Sequence, residues 1–144
     1  MRRLLLIAIA AAALARAGVT EDLTALFTSM ASGLSDANPG DFLRAIDPSM
    51  PGYDRLAANI RALATENAVS NSLEITSQKG DERAQEVELQ WLLEIKGIGE
   101  SGIAVTREGT VKCKLERQKK KWRIVALEPV SFFAALATDD RRSK

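Results

Sequence analysis

From Thr20 onward the apolar residues recur every three or four positions. Leu23, Leu26, Phe27, Met30, Ala31 and Leu34 form a one-sided stripe, the pattern of an amphipathic helix. Thr20 suits its N-cap, with Glu21 and Asp22 in a first turn where the helix dipole favours acids. Gly33 and Ser35-Asp36 weaken its end. Asn38-Pro39 restarts the chain as a cap followed by proline at the first helical position. Phe42, Leu43 and Ile46 predict a short second helix that must stop before Pro48. A third helix is predicted from Tyr53 to Ala64, with Tyr53, Leu56, Ala57, Ile60, Leu63 and Ala64 on one side.

From Ala68 the period falls to two. Leu73 and Ile75 alternate with Ser72, Glu74 and Thr76, a short strand, and Gln78 to Asp81 is a turn. In the strongest strand Val87, Leu89, Trp91, Leu93 and Ile95 alternate with Glu86, Glu88, Gln90, Leu92 and Glu94. A glycine-rich connection, Gly97 to Gly102, leads to Ile103-Ala104-Val105. Thr110 to Phe133 then reads as two antiparallel arms joined by a basic turn. Val111, Cys113 and Leu115 form the apolar row of the first arm. Trp122 to Leu127 is apolar on both sides, which predicts a central strand. Three helices followed by four to five antiparallel strands define an α+β domain, with the helices packed on one face of the sheet.

The first 17 residues break this pattern and have a different purpose. Arg2 and Arg3 precede an uncharged run of eleven, Leu4 to Leu14, and Ala15-Arg16-Ala17 is an A-x-A cleavage site. This is the pattern of a secretory signal peptide. As a helix the run would rise only about 17 Å, against a hydrocarbon core of about 30 Å. The expectation is therefore an exported protein, periplasmic or secreted, with no stable membrane insertion after cleavage. The segments expected are a signal peptide over residues 1–17, one domain over 18–136 and a charged flexible tail over 137–144.

Of the 144 residues, 20 are basic and 19 acidic; cleavage removes three arginines and no acid, leaving 17 against 19, so the formal charge moves from +1 to −2. A near-neutral total gives no reason to expect a polyanionic partner. Cys113 is the only cysteine, so no internal disulfide framework exists and stability must come from packing.

The order of elements, the third helix opening with Tyr53, and the closing Trp122-Arg123-Ile124 followed by Pro129 and Phe132-Phe133 resemble the nuclear transport factor 2-like superfamily. The resemblance covers about Thr20 to Phe133. It implies a cone in which the helices and a curved antiparallel sheet enclose an apolar interior. That interior is a ligand site in some members, ketosteroid isomerases and polyketide cyclases among them, and plain core in others.

The chemistry-bearing residues are few. There is no histidine, which removes the usual base near neutral pH and the commonest metal ligand. It also excludes Ser-His-Asp and Cys-His arrangements. An isomerase-like site needs a carboxylate base and a donor such as tyrosine inside the pocket. Tyr53 suits the donor, but Glu86, Glu88, Glu94 and Glu116 have outward parity, so no catalytic residue, metal ligand or cofactor is assigned. Gly97 to Gly102 matches G-x-G-x-x-G by letter but is followed by strand rather than the helix that phosphate binding requires. Lys112, Lys114, Arg117, Lys119 to Lys121 and Arg123 crowd the hairpin from Thr110 to Phe133. If its first arm pairs with the neighbouring strand, the acid row Glu86, Glu88 and Glu94 faces the lysine row and cross-strand ion pairs neutralise much of the patch, which argues against a nucleic-acid surface. The pocket candidates are Phe27, Tyr53, Trp91, Cys113 and Trp122. Leu92, Val125 and Leu127 interrupt the polar outer face and are the candidates for a homodimer interface. The expected function is a non-catalytic domain that binds a small apolar ligand or mediates protein association. The alternative is a small isomerase- or cyclase-type enzyme using the cone.

Overall fold

The computed structural model describes the backbone of residues 2–97 and 104–136, with side chains over 18–97 and 104–136. Three helices come first: α1 (Arg2–Ser35), α2 (Pro39–Leu43) and α3 (Tyr53–Glu66). Four strands follow: β1 (Asn67–Gly80), β2 (Ala84–Gly97), β3 (Ala104–Gln118) and β4 (Lys121–Glu128). A short 3₁₀ turn, Val130–Phe133, closes the chain. The strands pair antiparallel in the order β1-β2-β3-β4, with the helices over one face. The Gly97 to Gly102 connection and the tail over 137–144 fall almost wholly outside the described residues.

Thr20 does not cap α1, because the backbone is already helical from Arg2 through Thr20. Leucine and alanine, which dominate residues 4–14, are the best helix formers, so nothing breaks the helix there. The predicted stripe is the buried one: Leu23, Phe27, Met30 and Leu34 are fully buried, and Val19 joins them. At Gly33 the start of α2 crosses so closely that a Cβ would come within 2.8 Å of the Asn38 carbonyl and the Phe42 amide. Only glycine fits that crossing.

The sheet departs from the expected strands in three places. β1 has 14 residues rather than the five the alternation marks out. Its polar half, Asn67 to Ser72, is drawn into extended structure by pairing with Leu92 to Gly97, so pairing overrides propensity. The two segments expected before and after Gly109 form one strand, because Arg107, Glu108 and Gly109 pair with Leu93, Leu92 and Trp91. That leaves four strands. Lastly, β4 is an edge strand rather than a central one. Its free side is covered by the segment after α2: the Asp47 amide donates to the Ile124 carbonyl at 2.9 Å, and the Ile124 amide donates to Ala45 at 2.8 Å.

One extra residue in β4 changes which way its end faces. Leu115 pairs with Ile124 while Lys114 pairs with Ala126, so Val125 has no partner of its own. Such a bulge reverses the parity of everything beyond it. Leu127, expected outside with Val125, therefore turns into the core and is 5% exposed.

The segment that covers β4 is fastened by Asp47. Its carboxylate accepts hydrogen bonds from Gln118 Nε2 at 2.6 Å, the Ser49 amide at 2.9 Å and Ser49 Oγ at 2.8 Å. The Gln118 bond, then those from Ser49, hold its pKa down to about 2 from an ordinary 3.8. The folded pKa lies below the unfolded one, so the stabilisation is complete above about pH 4 and is lost as the pH falls toward 2. In thermal melts across that window, the wild type should lose more Tm than Asp47→Asn. Parallel losses would show that this carboxylate does not hold the edge.

Candidate functional site

The interior of the cone is the first place to look for a site. Trp91, at the centre of β2, is completely buried. Its indole N–H donates to Asn71 Oδ1 at 3.0 Å. The Phe133 ring stands edge-on to it at 5.1 Å, and Phe42 lies 6.2 Å away. Phe42 and Phe133 are themselves T-shaped at 5.2 Å, and Phe132 is perpendicular to Phe133 at 5.1 Å. These edge-to-face geometries are the favourable ones for aromatic rings. Phe133 reaches this position because Arg107 draws the closing turn across the sheet, donating from Nη1 to the carbonyls of Phe132 (3.0 Å) and Ala134.

Among the described residues the only buried polar side chains are Asn67 and Gln85, and neither ionises. Glu86, Glu94 and Glu116 are exposed and Glu88 is half-buried, all on the face away from the helices. Tyr53 is half-buried at the rim of the core, with no carboxylate bonded to it. Cys113 is buried, and desolvation pushes its pKa up to about 12, so it is an inert thiol rather than a nucleophile. No group of three or more potential metal ligands is found among the described residues.

The five pocket candidates are not brought together around one space. Phe27 and Trp91 belong to the shared core. Cys113 pairs with Val87, four residues along β2 from Trp91, or roughly 13 Å. Trp122 lies at the far end of the sheet, where the Arg117 guanidinium stacks 5.5 Å over its ring and its indole N–H has no hydrogen-bond partner. Asn71 and Arg107 were not singled out in the sequence. Arg107 had a signal: it is the one charge on the inward row Val105, Gly109, Val111, Cys113 and Leu115.

The outer sheet face carries the ion pairs that the alternation predicts. Lys112 meets Glu88 at 3.6 Å, Lys114 meets Glu86 at 3.9 Å, and Lys79 meets Glu86 at 3.3 Å. All are solvent-exposed, so each adds little to stability. Between these rows a cleft of about 500 Å³ crosses the strands from Lys79 to Glu128. Leu92 is 38% exposed, the largest apolar side chain on this surface. It pairs with Glu108, whereas Val125 lies beside Lys114, six residues and roughly 20 Å along β3. With Leu127 turned inward, the three interface candidates do not form one apolar patch.

Helices followed by a curved four-stranded antiparallel sheet make this the nuclear transport factor 2-like fold. A superfamily protein from Salmonella enterica serovar Typhimurium matches with a TM-score of 0.63 at 14% identity, over 86% of this chain and 96% of that one. A protein of unknown function from Shewanella oneidensis matches at 0.59 with 15% identity, over 75% and 95% of the two chains. A type 2 hexachlorocyclohexane dehydrochlorinase matches at 0.64 with 11% identity, over 79% and 85%. No family model matches the sequence, and no curated protein sequence does. At these identities the likeness is one of fold, and the fold hosts both enzymes and proteins without an assigned activity.

If the interior is core, truncating its keystone ring must be costly. Phe133→Ala is expected to lower stability by roughly 3–5 kcal/mol in urea denaturation. A loss under about 1 kcal/mol would mean that the ring lines a space already open to solvent.

Proposed function

We propose that this chain is an exported, non-catalytic association domain, and that the surface it uses is the outer face of its sheet. The observation that carries this reading is the filled cone. Phe42, Trp91 and Phe133 occupy its centre at ring-contact distances, and the one ionisable side chain buried among the described residues is the Cys113 thiol, which desolvation keeps protonated. General acid–base chemistry needs a titratable group at the reacting atoms. The dehydrochlorinase activity of one structural neighbour therefore stays with that protein. The small apolar ligand is the weaker half of the expectation, since the aromatic cluster takes up the space where it would lie.

On the outer face the acidic row of β2 runs beside the basic row of β3. A second copy turned through a two-fold axis sets each row against its opposite, so one surface is complementary to itself. Leu92 adds an apolar contact. The rows also exchange ion pairs within one chain, so the association is expected to be weak and to loosen with salt. Sedimentation velocity of the wild type at micromolar concentration should give a two-chain mass. Reversing Lys112 and Lys114 to glutamate should weaken association about tenfold, and reversing Glu86 and Glu88 to lysine in the same chain should restore it. A single-chain mass at every concentration and salt would overturn the reading.

A further inference from the structure

The two edges of the sheet are treated differently. The β4 edge is covered by Ala45–Asp47. The β1 edge pairs with nothing among the described residues. β1 has 14 residues, and about half of its amides and carbonyls point away from β2. A bulge at Thr76 breaks the pattern near one end, leaving residues 68–75 as a regular, unpaired run. An edge of this length without proline or a central lysine is a template for another strand.

A slot of about 730 Å³ runs beside this edge, between β1 and α1. It is closed at both ends by side-chain hydrogen bonds. At one end Asn71 Nδ2 donates to Ser35 Oγ at 2.8 Å and to the Ala31 carbonyl at 3.0 Å. At the other, Gln78 Nε2 donates to Thr20 Oγ1 at 3.3 Å. Seven residues of extended chain separate the two ends, roughly 23 Å. Leu73 and Ile75 line the floor; their inner-face neighbours on β2, Trp91 and Leu89, are fully buried, while they are only half-buried. No fifth strand among the described residues covers them. Thr24 and Thr28 of α1 form the opposite wall.

From this geometry we infer that the slot is a strand-addition site for an extended peptide from another protein. The incoming backbone pairs along the regular part of the edge that the slot spans, residues 71–75 of β1, and its alternate side chains rest on Leu73 and Ile75. The charge of the site specifies the partner further. Asp36 lines the slot at the Asn71 end, and Glu74 stands on the outer rim. Neither has an ion-pair partner among the described residues, whereas Lys79 is already held by Glu86. The peptide therefore has apolar residues at every second position and a lysine or arginine near one end. A second copy fits less well. Its β1 is backed by its own α1, and two-fold edge pairing would bring both helices to the same slot.

This site is separate from the outer face, and the two ideas fail independently. The test is an array of immobilised heptapeptides with valine, isoleucine, leucine or threonine at alternate positions and either lysine or glutamate at one end. The purified wild-type protein should be retained, with preference for the lysine series. Thr28→Arg, which fills the slot from an exposed helix position, should weaken retention about tenfold while leaving the sedimentation mass unchanged. N-methylation of the best binder should abolish binding at one parity of amides and spare the other, as strand pairing requires. Retention of no array member would overturn the proposal. So would binding indifferent to Thr28→Arg or to the parity of methylation. A two-chain mass that Thr28→Arg converts to one chain would assign the edge to a second copy instead.

Discussion

The hydrogen bond from Trp91 to Asn71 is the constraint on which the rest of the architecture depends. A buried indole N–H without an acceptor costs about 1–3 kcal/mol, a cost that Trp91 avoids at the centre of β2 because a neighbour supplies the acceptor. Asn71 does so from β1, and its own amide is then satisfied by Ala31 and Ser35 of α1. One side chain thus links the two strands to the first helix. Phe42 from α2 and Phe133 from the closing turn complete the cluster around the indole. Every layer of the domain touches this point, so the packing of the cone follows from where that ring is held.

This arrangement bears on function by subtraction. Residues that would serve a ligand site in an open cone are used here to fill it. Arg107, the one inward-facing charge on β3, bonds backbone carbonyls of the closing turn. Cys113 is sealed and its thiolate suppressed. What remains distinctive among the described residues is on the exterior: a charge-alternating sheet face, the exposed Leu92, and one strand edge left open while the other is covered. These are the features on which the proposed association draws, through charge registry and backbone pairing.

Much of this was legible in the sequence, because periodicity reports burial directly. The stripe from Leu23 to Leu34 and the alternation from Val87 to Ile95 mark the core faces of α1 and β2. Where the reading failed, non-local pairing decided. The polar first half of β1 has no strand signature of its own and is extended because β2 requires a partner. Residues around Gly109 join two apparent strands for the same reason. The Val125 bulge is a single extra residue with no compositional mark, yet it carries Leu127 from the outer face to the core. The site residues were harder still. Asn71 looks like one more polar residue in an Asn-Ser-rich run, and only the register places it beneath Trp91.

The central claim is that the cone is a packed interior and that the chain works through its surface. Native mass spectrometry of the protein purified from its own source tests this most directly. The account expects masses equal to one or two processed chains, with no small molecule retained under gentle ionisation. A stoichiometric adduct of a few hundred daltons that survives purification and leaves only on unfolding would contradict it. The aromatic cluster would then have to open, and the cone would be a binding site.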